Sequence, residues 1–193
     1  DLEIRGAGNI LGSEQSGHIQ MVGYQMYCDL LADTVRKLRN EPAEAEPAAV
    51  IDLGLAAYIP KSYIPSDRYR MDIYRKIAVT KTTEDLKQTA GELADVYGPV
   101  PDEVELLLEL AGLRIGASRL GIKSIVASGR DLIFSFSKDS NLQADSLFAG
   151  VKGTVKIADP KTVYLRLPQN YFEPSTLMNV LRKILTTNSQ NNI

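Results

Sequence analysis

The chain has 193 residues, enough for one large domain or two small ones with separate cores. Its 44% hydrophobic and 24% charged content is that of a globular protein, and no apolar run nears the roughly 20 residues that cross a bilayer, so no membrane partner is expected. A net charge of −2 argues against nucleic-acid affinity driven by bulk charge, one cysteine excludes an internal disulfide, and one histidine excludes multi-histidine zinc sites, so no metal is expected.

A chain that opens on Asp1 rather than methionine reads as a piece of a longer protein, and its lone thiol fits a cytoplasmic location. The first stretch, Asp1 to Gly17 (DLEIRGAGNILGSEQSG), is the densest in residues that shape backbone and present polar groups. Gly6, Gly8 and Gly12 follow Arg5, a planar fork for phosphate or carboxylate, and precede Gln15, which both donates and accepts. Tyr24, Tyr27, Cys28, Leu31, Val35 and Leu38 then fall at helical spacing, predicting an amphipathic helix with Cys28 on its apolar side as a structural thiol. Residues 1–40 thus read as a helical hairpin-type element, and 41–49 (EPAEAEPAA) as a stiff linker and domain boundary.

Residues 50–193 read as a second domain, helical to about 121 and sheet-forming over about 122–188. Ile51, Leu53, Leu55 and Ala57 alternate, which predicts a strand ending before Pro60. Pro65-Ser66 opens a helix with Tyr69, Ile73 and Ile77 on one line and Tyr74 and Ala78 beside it. Thr82 with Asp85 resembles a capping box for a helix carrying Leu86, Ala90, Leu93 and Tyr97 inward and stopping at Gly98-Pro99. Pro101-Asp102 starts a third helix, with Val104, Leu107, Leu108, Ala111 and Ile115 inward and Gly121 as its stop, so a three-helix bundle is expected. IKSIVA and LIFSFS then read as strands around Ser128-Gly129-Arg130-Asp131, with Leu132, Phe134 and Phe136 on one face. A short helix over 140–149, a second hairpin about Asp159-Pro160-Lys161 and a last helix through Leu177, Val180, Leu181, Ile184 and Leu185 follow, before a polar tail. The fold class is α+β: a bundle, then a small mainly antiparallel sheet with helices on one face.

The charge is unevenly spread. Residues 82–112 hold eight acids against one base, and residues 113–193 hold eleven bases against five acids. Solvated helix faces account for such runs; an acidic docking surface for a basic partner is the sharper reading. Catalytic signatures are missing: there is no G-x-x-x-x-G-K-[ST], and the glycines from Gly6 to Gly12 miss the dinucleotide fingerprint by one residue. His18 has no partner at metal-ligand spacing.

Asp1-Leu2-Glu3-Ile4-Arg5-Gly6-x-Gly8 followed by Leu11-Gly12-x-x-Gln15-Ser16-Gly17 resembles a motif shared by two groups of DNA translocases, the RecG-like branch-migration helicases and the bacterial transcription-repair coupling factors (Mfd). Ala7, Gly23-Tyr24-x-x-Tyr27, Tyr63-Ile64-Pro65, Arg70, Tyr74-Arg75-Lys76-Ile77-Ala78, Tyr97-Gly98-x-x-Pro101-Asp102 and Leu120-Gly121-Ile122 favour the coupling factors. The resemblance covers residues 1 to about 125. It implies the C-terminal end of an ATP-dependent translocase that displaces stalled RNA polymerase and recruits the UvrA excision-repair protein. The ATP and Mg sites would then lie in motor lobes upstream, leaving no cofactor and no catalytic residue in this chain. Arg5, Gly6, Gly8, Gly12 and Gln15 match positions that couple hydrolysis to movement on DNA. The domain after the linker is implied to be autoinhibitory, packing on a UvrB-like N-terminal module of the same protein. Glu92 and Asp95 match acidic positions of that contact, and three residues apart on a helix both can face one partner.

Two alternatives stand beside this reading: a DNA-binding module using the basic C-terminal sheet, or the tail of a RecG-like helicase. Phe134, Phe136 and Tyr164 could form a stacking platform for the former, though the same residues fit the apolar side of their strands.

Overall fold

The computed structural model describes residues 49–137 and 147–187. The expected element over 1–40, the linker up to residue 48, most of the helix expected over 140–149 and the polar tail from 188 lie outside the described residues. What is described is α+β, with four α-helices and a five-stranded mixed sheet sharing one core.

The first strand, β1 (Val50–Asp52), is shorter than its alternation predicts. Gly54 turns to φ +65°, a conformation that ends an extended run, and its N–H donates to the Asp52 carboxylate at 3.2 Å. Leu53, Ala57 and Ile59 remain buried, so the apolar pattern survives as irregular chain rather than strand.

Helix α1 (Asp67–Val79) starts where Ser66 accepts the Tyr69 N–H. Its buried line differs from the expected one: Arg70, Tyr74, Ile77 and Ala78 face inward, Ile73 is half-buried, and Tyr69 is 58% exposed. Arg70 can occupy a core position because its guanidinium donates to the carbonyls of Ile64 (2.6 Å) and Pro65 (3.1 Å) and pairs with Asp67. The Tyr74 hydroxyl accepts the Ile59 N–H at 2.7 Å, tying the irregular segment to the helix.

Helix α2 (Thr83–Tyr97) is capped as its sequence suggests, with Thr82 Oγ1 accepting the Asp85 N–H at 3.1 Å. Leu86, Thr89 and Leu93 are buried and Ala90 is half-buried; Thr89 can be buried because its hydroxyl donates locally to the Asp85 carbonyl (2.9 Å). The helix stops at Gly98, φ +88°. Tyr63 seals this end, its single hydroxyl proton shared between the Leu93 and Gly98 carbonyls at 3.1 and 3.0 Å.

Helix α3 (Asp102–Arg119) is buried on most of its circumference, through Val104, Leu107, Leu110, Ala111, Leu113, Ile115 and Ala117. It touches α1, α2, β1, β2 and the last helix, α4 (Pro174–Thr187), which explains why no single stripe describes it. Leu108, expected inward, is half-buried. Arg114 is buried on α3, and its guanidinium donates to Ile77 O (2.9 Å), Ala78 O and Thr80 O (3.2 Å). These carbonyls end α1, so one cation closes the helix terminus and joins the two helices.

Strands β2 (Ile122–Ser128) and β3 (Asp131–Phe136) form the first hairpin; β4 (Thr154–Asp159) and β5 (Thr162–Arg166) form the second. The sheet order is β1-β2-β3-β5-β4, with β1 parallel to β2 and the other pairs antiparallel. Leu132, Phe134 and Phe136 are buried on one face with Val163, Leu165 and Leu167. On the other face a row of Asp52, Val126, Ile133, Tyr164 and Lys156 runs across all five strands.

Candidate functional site

Arg5, Gly6, Gly8, Gly12 and Gln15 lie outside the described residues. Glu92 and Asp95 are described, and both are exposed on the outer side of α2. The cap at Thr82 and the burial of Leu86, Thr89 and Leu93 set the rotation of this helix, which leaves Gln88, Gly91, Glu92, Asp95 and Val96 outward.

Glu92 is engaged already. It pairs with Lys76 of α1 and accepts from the Gln88 amide at 3.0 Å. The Lys76 ammonium, then the Gln88 amide, hold its carboxyl below the usual glutamate range, so it is an anion throughout neutral pH. The Asp95 side chain, one turn further, has no hydrogen bond or ion pair among the described residues.

Two neighbours of this pair, and one residue of α1, carry no charge signal in the sequence. Val96 is 69% exposed, an apolar side chain in water beside Asp95. Gly91 sits between Gln88 and Asp95, and a Cβ there would meet nothing within 4 Å. A glycine inside an exposed helix costs about 0.5–1 kcal/mol relative to alanine, and nothing among the described residues crowds that position. On α1, Tyr69 lies two turns before Lys76 on the same line, also exposed. The signal that could have found Val96 is its place off the apolar stripe of its own helix.

The surface built from these residues joins two carboxylates, a glycine floor and exposed apolar groups. Carboxylates beside exposed apolar groups are suited chemically to a basic, partly apolar surface. Among the described residues no group of three or more His, Cys, Asp or Glu could hold a metal ion. No described helix is long and apolar enough to cross a membrane.

The residues proposed for a stacking platform separate. Phe134 and Phe136 are buried, with Phe134 edge-on to Phe148 at 4.9 Å between ring centroids. Tyr164 lies half-buried on the opposite face of the sheet. Of the basic residues there, Arg166 is held by both oxygens of Asp131, at 2.8 and 2.7 Å.

The model of the TRCF domain family matches residues 53–147. A transcription-repair-coupling factor of Helicobacter pylori (strain ATCC 700392 / 26695) is 34% identical over 148 residues, covering 76% of this chain and 15% of that protein. One of Staphylococcus aureus (strain USA300) is 35% identical over 152 residues, covering 77% of this chain and 13% of that protein. The chain therefore spans about 15% or less of the length of these curated relatives. A solved structure described as the C-terminal domain of transcription-repair coupling factor matches with a TM-score of 0.62 at 20% identity, covering 76% of this chain and 96% of that one, a likeness of fold.

Proposed function

The chain belongs to the transcription-repair coupling factor family, and on that footing we propose that it is the non-catalytic C-terminal part of an ATP-dependent DNA translocase that clears stalled RNA polymerase and recruits excision repair. In this reading residues 1–40 link the motor lobes to DNA movement. Arg5 and Gln15 hold the moving element, and the motor lobes hold ATP and Mg. Residues 50–193 act as the brake: they pack on the UvrB-like N-terminal module of the same protein, mask the surface UvrA uses, and hold down the basal ATPase.

The observation that carries the braking role is the outer face of α2. Glu92 and Asp95 point outward one turn apart, Val96 stands exposed beside them, and Gly91 leaves the helix backbone open to close approach. A basic partner can meet Asp95 directly and can displace Lys76 from Glu92 by exchanging one cation for another, so the anion is never left unpaired. A planar arginine would gain most, because it can bridge carboxylate oxygens in a way the Lys76 ammonium cannot.

The test is charge reversal of Glu92 and Asp95 to lysine in the full-length protein. Basal ATPase and UvrA binding should both rise; if both stay as repressed as in the parent, this face is not the clamp. ATP hydrolysis by the purified 193-residue chain alone would overturn the non-catalytic assignment.

A further inference from the structure

Strand β4 is exposed along its whole length and forms one edge of the sheet. Its partners determine which way each residue faces. Val155 lies opposite Leu165 and Ile157 opposite Val163, so both project from the face on which Leu165 and Val163 are buried. Yet Val155 is 37% and Ile157 57% exposed. The core ends at β5, one strand short of the edge.

The backbone has the same asymmetry. Phe136 N–H donates to Lys161 O (2.8 Å) and Leu167 N–H to Arg130 O (3.0 Å), so alternate residues of β5, Val163 and Leu165 among them, turn their backbone groups toward β3. Tyr164 and Arg166 therefore turn theirs toward β4, where Lys156 and Thr154 lie opposite them. The N–H and C=O groups of Val155 and Ile157 are left pointing out of the sheet edge. Among the described residues, the same two thus offer backbone groups that no strand pairs and apolar side chains left uncovered.

Folded proteins blunt such edges with bulges and charges. Here the register shift lies beyond Ile157, between it and Asp159, and leaves the stretch from Val155 to Ile157 regular. The charge on that stretch, Lys156, is on the opposite face from Val155 and Ile157.

We propose that β4 is a docking edge for an extended acidic segment of a partner protein, which adds as a sixth strand. Its alternate apolar side chains lie over Val155 and Ile157, and its carboxylates lie beside Lys152 and Lys156. Charge selects this occupant. Lys156 is exposed on the strand and Lys152 is exposed just before it, while Asp159 directs its carboxylate to its own turn, accepting the Lys161 N–H at 2.8 Å. Two-fold pairing with a second copy would place Lys156 opposite Lys156 whenever Val155 meets Ile157, and like charges directly opposite are unfavourable. Nucleic acid would find backbone groups and aliphatic side chains at this edge, with the Tyr164 ring on the other face. The proposal is independent of the α2 clamp, which lies on a helix that makes no part of the sheet.

The experiment titrates the isotope-labelled 193-residue chain with a capped octapeptide of alternating valine and glutamate, and separately with its valine–lysine counterpart. The acidic peptide should slow amide exchange at Val155 and Ile157 and bind at least tenfold more tightly than the basic one. Lys156→Glu should weaken it by about three- to tenfold. Val155→Pro deletes an outward N–H without removing a β4–β5 bond, and should abolish binding while cross-strand contacts between Lys156 and Tyr164 persist. Ile157→Asp is the second variant if proline disturbs the hairpin, and should also abolish binding. Absence of protection at those amides, equal binding of the two peptides, or a concentration-dependent dimer that protects them without peptide would each overturn the proposal.

Discussion

Arg114→Met separates a buried cation that organises the helices from one that is merely tolerated. Arg114 is buried on α3 and donates to three carbonyls at the end of α1, those of Ile77, Ala78 and Thr80. Methionine keeps much of the stem and removes every donor. Ile77 O retains the Thr80 N–H at 3.3 Å, and the half-buried Thr80 O can recover water. Ala78 O loses its donor in a buried setting, a loss of about 1–3 kcal/mol. The vanished charge at a helix C-terminus removes up to about 2 kcal/mol more in a partly buried geometry. Relief of the desolvated guanidinium offsets part of this, because the cation no longer has to be taken out of water. The net expectation is a destabilisation of about 3 kcal/mol. With a urea slope of about 2 kcal/mol/M, the unfolding midpoint should fall by roughly 1.5 M at an unchanged slope. Arg114→Lys, which keeps a point charge but loses the fork, should fall between. A midpoint for Arg114→Met within about 0.3 M of the parent would refute the reasoning, because the carbonyls would then be satisfied some other way.

Tyr74→Phe should cost about 1–3 kcal/mol by urea unfolding, because the buried Ile59 N–H loses its acceptor; an unchanged midpoint would mean another acceptor takes its place. Gly91→Ala should stabilise the isolated chain by about 0.5–1 kcal/mol, yet raise basal ATPase in the full-length protein by obstructing the α2 face. A stabilised protein with unaltered ATPase would show that nothing approaches Gly91 closely. The hydrogen-bonded Arg166 guanidinium holds the Asp131 carboxyl below the ordinary aspartate range. A carboxyl depressed in the folded state contributes stability above its unfolded value and loses it as pH falls through its folded value, so the β3–β5 pair should weaken only in acid. Arg166→Met should move the Asp131 titration, followed by carboxyl carbon NMR, up toward the usual value; an unmoved curve would deny the coupling.

Local chemistry was the readable part of this fold. Thr82 and Asp85, Gly98, Gly121 and Gly129 mark ends and turns by side-chain or backbone properties that act within a few residues, and the elements follow them. The alternation of Leu132, Phe134 and Phe136 set the buried face of β3 in the same way. What was not readable depends on distant partners. Arg70 and Arg114 look like surface residues until carbonyls from other segments neutralise them. That exchange, at Arg70, moved Tyr69 out of the expected core line and onto the surface. The parallel pairing of β1 with β2 spans some seventy residues and leaves no local mark. For the candidate site, the resemblance pointed to Glu92 and Asp95, and both are exposed on α2. The lysine that occupies Glu92, the exposed Val96 and the open Gly91 needed coordinates, since each is defined by what does or does not stand next to it.

Ala49 is buried at the edge of the sheet opposite β4, and its N–H donates to Ser118 Oγ at 3.0 Å before the chain enters β1. A force along the backbone from residue 48 would therefore run down the axis of β1 and load its bonds to β2 together, in shear, rather than peel them one by one. Through Ser118 the same force reaches α3, the helix that touches every other layer of the domain. Tension arriving at Ala49 would thus be shared between the β1–β2 pairing and α3.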